Sequence, residues 1–170
     1  LSIAFGLLYT GGPYPLGYNG LGDIFVLIFF GPVAVAGTYF VNTQELSAIS
    51  IVAGLIPGLF SVGILTINNL RDIDNDRNAG KRTLQVRLGR SFARAEYLLC
   101  VFVPHAVSVA LALSEHRWLA LVSIATIIPT ALLVRRVSTA TGSEFNSALA
   151  STGRILFLHA ALFSVGWVLL

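Results

Sequence analysis

Apolar positions along this chain fall in long unbroken blocks, not in the short alternating runs of a half-buried strand. Residues 24–41, 48–67, 97–113, 118–134 and 155–170 carry almost no charge. Each block approaches the roughly 20 residues that cross a bilayer's hydrocarbon core as a helix. A sixth stretch, residues 1–9, is too short to cross alone and reads as a truncated span. The pattern predicts an all-α integral membrane protein, a multi-helix bundle with about five complete transmembrane helices plus the truncated one. Gly31-Pro32, Pro57-Gly58, Pro104 and Pro129 interrupt the blocks; they read as kinks of the kind that neighbouring helices accommodate in a membrane bundle. No internal repeat, low-complexity tract or linker divides the chain, so residues 1–170 are expected to form a single transmembrane domain.

Composition excludes the soluble alternative. Hydrophobic residues make up 55% of the chain and charged residues 11%, with a mean hydropathy of +0.80, whereas a soluble domain carries about 25% charged residues. The connections between blocks are residues 10–23, 42–47, 68–94, 114–117 and 135–146, and alternate ones must lie on alternate sides. The first, third and fifth, with Arg154 just beyond, hold ten of the eleven basic residues; the opposite side holds only Arg117. By the positive-inside rule that basic side is expected to face the cytoplasm, as in a bacterial inner membrane. The net charge of +3 therefore reports orientation in a lipid bilayer. It does not indicate nucleic acid, which would require a basic soluble face. Cys100 is the one cysteine and lies in an apolar block, so it defines no disulfide. Methionine is absent and the first apolar run begins abruptly at Leu1; both predict a fragment whose upstream sequence continues the helix.

Charge is concentrated where the chain reads "NNLRDIDNDRNAGKRTLQVRLGR", from Asn68 to Arg90. Extended to Arg94, this region holds ten of the nineteen charged side chains. Asp72 and Asp76 are four residues apart, so a helix places them on one face about 5–6 Å apart. Asn69 and Asn68 lie three and four residues before Asp72 on that side, while Asp74 points elsewhere. Two carboxylates so close repel unless a cation joins them. Magnesium prefers oxygen ligands and is held by one or two carboxylates plus substrate phosphates. Arg77, Lys81 and Arg82 follow at once and would complement a diphosphate bound to that metal. The plain alternative is a solvated loop between two spans. The order of residue types, paired amides, then Asp-x-x-x-Asp, then glycine and bases, favours the metal–diphosphate reading.

That stretch resembles the second aspartate motif of the UbiA-type membrane prenyltransferases. The upstream "YTGGPYPLGYNGLGDIFVLIFFG" is similar to the loop and helix of the subgroup that uses 1,4-dihydroxy-2-naphthoate as acceptor in menaquinone or phylloquinone biosynthesis. The resemblance implies the C-terminal part of a nine-helix fold around a cavity open to lipid, with the first aspartate motif in the other half. It implies that Asp72 and Asp76 are catalytic and bind Mg2+, with Asn68, Asn69 and Asp74 as further metal-site residues. It makes Lys81, Arg82 and Arg77 the diphosphate-binding candidates. The substrates would be a polyprenyl diphosphate and an aromatic acceptor. Tyr14, Tyr18, Asn19 and Asp23 are candidates to contact that acceptor, with Asp23 pairing with a cation or orienting a ligand. The fragment alone would be inactive.

His105 and His159 fall inside apolar blocks, where histidines hydrogen-bonded between helices are expected. Close rivals keep the chemistry but use 4-hydroxybenzoate or homogentisate. A rival of another class is a membrane transporter, which would place acids deep within its spans; here the acids gather at one end. The upstream reading frame tests this directly: a second aspartate-rich motif between two earlier spans is expected, and its absence would remove the prenyltransferase reading.

Overall fold

The structure is a computed structural model and describes residues 16–169. The truncated span expected over residues 1–9 and Tyr14 lie outside the described residues. Among the described residues every regular element is helical. After a short 3-10 turn, Leu16–Asn19, come α1 (Gly22–Phe30), α2 (Pro32–Thr43), α3 (Ala48–Asn78) and α4 (Leu84–Ser114). A 3-10 segment, Trp118–Thr126, leads into α5 (Ile127–Thr139), and α6 (Glu144–Val168) follows. Joined end to end, α1 with α2 and the 3-10 segment with α5 each reach membrane-crossing length, giving five candidate spans: Gly22–Thr43, Ala48–Asn78, Leu84–Ser114, Trp118–Thr139 and Glu144–Val168. The protein is an all-α integral membrane protein.

Two of the expected boundaries move. Residues 68–94, read from charge as a connection between blocks, are mostly helix: α3 runs on to Asn78 and α4 begins at Leu84. Apolar content locates the hydrocarbon core but does not end a helix; caps and glycines do. Gly80 stands at φ +74°, and the Thr83 hydroxyl accepts the Val86 amide at 3.2 Å to start α4. Within α4, Gly89 sits at φ 85°, ψ 178°, a conformation essentially confined to glycine, so the helix bends there before continuing. The fourth span also differs, since its first nine residues are 3-10 rather than α. Ser123 and Thr126 fold their hydroxyls onto the carbonyls three residues back, at 2.8 and 2.7 Å, within this segment. The helices continue through Pro57 and Pro104. Pro129 falls in the first turn of α5, where no amide hydrogen bond is forfeited.

The core forms where α3 and α4 pair and α6 closes over them, around Phe60, Ile67, Leu70, Tyr97, Val101 and Phe145. Small residues allow close backbone approach, a common means of packing helices in lipid. A Cβ on Gly31 would press on the Gly54 carbonyl and the Gly58 backbone of α3, which is how the α1–α2 junction seats itself. On Gly166, a Cβ would overlap the Leu119 carbonyl of the 3-10 segment. Polar pins cross the same interfaces. Tyr97 Oη and Thr152 Oγ1 lie 3.0 Å apart. His105 Nδ1 meets the Val101 carbonyl and His105 Nε2 the Thr126 hydroxyl, both at 3.0 Å. His159 bonds the Thr126 and Ser108 hydroxyls, both at 2.8 Å. Both histidines are thus hydrogen-bonded pins between elements, as expected. Phe157, Leu158, Val165 and Val168 remain exposed on α6, the surface that lipid would cover.

Two glycines of α6 provide a test. Gly153 has open space where a Cβ would go, whereas Gly166 has none. Gly166→Ala is expected to lower the thermal unfolding midpoint of the detergent-solubilised protein. Gly153→Ala should leave it unchanged or raise it, since alanine gains up to about 1 kcal/mol over glycine inside a helix.

Candidate active site

The site lies at one end of the bundle, where the first, third and fifth connections converge. The Arg82 amide donates to the Tyr18 carbonyl at 2.7 Å, and Arg87 Nη2 donates to the Asn19 carbonyl at 3.0 Å. Across the other side, Arg71 Nη1 donates to Asn146 Oδ1 of α6 at 2.7 Å. The basic connections expected on one membrane side are therefore together in space.

Each aspartate of the motif has a cation. Arg71 grips Asp72 with two donors, Nε to Oδ1 at 2.8 Å and Nη2 to Oδ2 at 2.6 Å. The same Nη2 donates to Asn68 Oδ1 at 2.8 Å. Asp76 is buried, and its Oδ1 accepts from Lys81 Nζ at 2.7 Å. Gly80 permits this return, because its positive φ turns the chain so that the Lys81 amide also bonds the Asp76 carbonyl at 2.9 Å. The Lys81 ammonium stands 5.0 Å from the centre of the Tyr18 ring. Its hydrogen bond to Asp76 pushes its pKa above the ordinary 10.5. Asp74 does point away as expected; it is exposed and pairs with Arg90 at 2.7 Å and Arg77 at 3.3 Å. Arg77 is thereby drawn toward Asp74, whereas Arg82 is exposed and pairs with no acid among the described residues.

Asn69 and Asp23 belong to a second, buried polar cluster that sequence reasoning only half anticipated. Asn69 Nδ2 donates to Gln85 Oε1 at 3.0 Å. Gln85 Nε2 donates to Glu96 Oε2 at 2.6 Å and reaches Asp23 Oδ1 at 3.5 Å. Thr66 Oγ1 lies 3.3 Å from the same Glu96 oxygen. Of the two roles expected for Asp23, pairing with a cation or orienting a ligand, the first is not seen among the described residues, where it meets the Gln85 amide. Gln85 and Glu96 were missed, although Glu96 is an isolated acid beside an apolar run, and such a residue needs a partner. Asn146 was also missed, since nothing nearby in sequence marks it.

The donor chemistry suits magnesium as this ion is usually held. Asp72, Asp76, Asn68 and Asn69 are hard oxygen donors on one helix end, with cations poised beside them. Among the described residues no three His, Cys, Asp or Glu side chains are grouped to hold a metal by themselves. A magnesium ion sharing one or two carboxylates with phosphate oxygens and waters needs no such trio.

A bundle of apolar helices of membrane-crossing length, with paired acids, amides and bases gathered at one end, defines a polytopic membrane protein. The chain belongs to the UbiA prenyltransferase family, whose model matches residues 1–161. It is 38% identical over 170 residues to the 1,4-dihydroxy-2-naphthoate octaprenyltransferase of Haemophilus influenzae, covering 98% of this chain and 54% of that protein. It is 45% identical over 111 residues to the protein of the same name from Escherichia coli, covering 65% of this chain and 36% of that one. Animal proteins are similar as well. The UbiA prenyltransferase domain-containing protein 1 of Danio rerio is 42% identical over 98 residues, covering 58% of this chain and 29% of that protein. The chain spans about half the length of the Haemophilus relative, and the matched segments cover about a third of the other two.

The Lys81–Asp76 pair gives a pH prediction. A lysine whose pKa is raised by folding stabilises the fold fully below its unfolded value of about 10.4 and loses that contribution as pH rises through the folded value. Lys81→Met should therefore speed hydrogen exchange of the amides in residues 79–83 near neutral pH. The gap from wild type should close in strongly alkaline buffer, and equal exchange rates at pH 7 would contradict the pairing.

Proposed function

We propose that the protein of which this chain is part transfers a polyprenyl group from an isoprenoid diphosphate to 1,4-dihydroxy-2-naphthoate, with loss of the acceptor's carboxylate as carbon dioxide, in menaquinone or phylloquinone biosynthesis. One observation carries the reading: Asp72 and Asp76 stand on a single helix end with Arg71 and Lys81 in contact, and Arg82, close in sequence, has no acidic partner among the described residues. The names of the bacterial relatives support the choice of acceptor.

Bound magnesium, held by Asp72 and Asp76 with Asn68 and Asn69 beside them, would supply Lewis-acid stabilisation to a departing diphosphate. The chain's own groups do the rest. Lys81 and Arg82 complement the phosphate oxygens, where negative charge grows as the allylic C–O bond breaks. Lys81 neutralises Asp76 before the substrate arrives and has donors to offer a phosphate afterwards. Arg77 and Asp74 contribute from the exposed rim. Tyr18 and Asn19, and Tyr14 of the preceding segment, would contact the aromatic acceptor, and Asp23 would help to orient it. The apolar helices keep water from the cation-like allylic carbon, which the ring carbon of the acceptor attacks. The end that carries the aspartate motif faces the cytoplasm, following the excess of Lys and Arg on that side. We infer further that this chain alone is inactive, because a second aspartate motif is expected in the remaining half of the relatives' length.

Full-length protein in membranes, given magnesium, a labelled polyprenyl diphosphate and each acceptor in turn, is expected to prenylate 1,4-dihydroxy-2-naphthoate in preference to 4-hydroxybenzoate or homogentisate. Asp72→Ala and Asp76→Ala should each lower turnover by at least a hundredfold while the protein remains inserted. Wild-type transfer by either variant would remove the assignment.

A further inference from the structure

The buried cluster beside the aspartates contains a residue whose role follows from hydrogen-bond logic. A side-chain amide has one end that donates and one that accepts, and an ionised carboxylate only accepts. Gln85 is fully buried. Its amide group lies between Glu96 Oε2 at 2.6 Å and Asp23 Oδ1 at 3.5 Å. Reversing it would set three oxygens against one another, so the nitrogen faces the acids. Gln85 Oε1 is then committed to the opposite side, where it meets Asn69 at 3.0 Å. An oxygen there requires a donor, so the Asn69 nitrogen faces Gln85. The remaining end of Asn69 is its carbonyl oxygen, which accepts no hydrogen bond among the described residues.

Asn69, Asp72 and Asp76 are spaced i, i+3, i+7 in α3, a single helical stripe. We propose that Gln85, held by Asp23 and Glu96, is a positioning residue that fixes the Asn69 amide with its oxygen toward the cation site formed with Asp72 and Asp76. The proposal rests on the metal–diphosphate reading given above. It explains why a buried aspartate, a half-buried glutamate and a fully buried glutamine meet within reach of the motif: they act as an orientation lock. Three helices supply the lock, Asp23 from α1, Asn69 from α3 and Gln85 with Glu96 from α4. The coordinating end of α3 is thereby tied to the seating of the α1–α2 span. Thr66 completes the cluster, with its hydroxyl 2.9 Å from the Val62 carbonyl and 3.3 Å from Glu96 Oε2.

The test is Mn2+ binding, read by electron paramagnetic resonance on full-length protein in detergent with inorganic diphosphate present. Gln85→Leu removes both the acceptor for Asn69 and the donor to the acids. It should weaken Mn2+ binding about ten- to hundredfold, the usual effect of losing a partner that orients a metal ligand. Asn69→Ala should weaken it similarly, and the double variant Asn69→Ala with Gln85→Leu no more than Asn69→Ala alone, because Gln85 acts only through Asn69. If Gln85→Leu binds Mn2+ like wild type, or if the two losses add, the positioning role is wrong. Should Gln85→Leu fail to accumulate, the near-isosteric pair Asp23→Asn with Glu96→Gln releases the lock without a change of volume. It should also weaken binding, and wild-type affinity there would overturn the proposal. Asp72→Ala separates the two levels: unchanged Mn2+ binding in that variant would remove the metal–diphosphate reading itself, and the positioning role with it.

Discussion

An ionised side chain inside a bilayer must find a partner or leave the hydrocarbon, and the arrangement of this bundle answers to that constraint. An aspartate at mid-membrane costs roughly 2.5–3.5 kcal/mol on the insertion scale, and the chain has three within five residues. They gather at one end of α3, and each is met by a cation: Arg71 for Asp72, Arg90 and Arg77 for Asp74, Lys81 for Asp76. The partners come from the same helix, from the turn and from α4, so pairing the charges also sets how α3 and α4 meet. Arg71 then reaches on to Asn146 and draws α6 to the same end.

The glycines complement this ionic end from within the apolar region. Gly31, Gly54 and Gly58 let the α1–α2 junction lie against α3, and Gly166 does the same for α6 against the 3-10 segment. Between these contacts the two histidines, Thr126 and Ser108 form a polar knot that ties α4, the 3-10 segment and α6 together. Hydrophobic burial cannot distinguish one helix pairing from another in lipid, where the surrounding chains are as apolar as leucine. Close packing and hydrogen bonds select the arrangement instead.

What could be read from the sequence follows the same division. The five spans were legible because hydropathy reports the solvent around a helix, and the solvent here is lipid. The Asp72–Asp76 pair was legible because its spacing is local and helical. Where α3 ends and α4 begins was not, since that depends on Gly80 and Thr83 and not on apolarity. Gln85 and Glu96 were passed over because their significance arises only when α4 folds back on α3, bringing Gln85 to Asn69 across 16 residues of chain. Asn146 is further still, 75 residues from Arg71. The 3-10 character of residues 118–126 was hidden for another reason: its composition is that of any apolar helix, and its geometry comes from hydroxyls and backbone contacts that hydropathy does not register.

That 3-10 stretch also acts as a ruler. A 3-10 helix rises about 2.0 Å per residue against about 1.5 Å in an α-helix, so the nine residues of Trp118–Thr126 extend roughly 18 Å where an α-helix would reach about 14 Å. The Trp118–Thr139 span has 22 residues, against 31 in each of the two helices it must accompany across the bilayer. Stretching its first part lets a short segment match a given membrane thickness, and the extra reach is obtained without lengthening the chain.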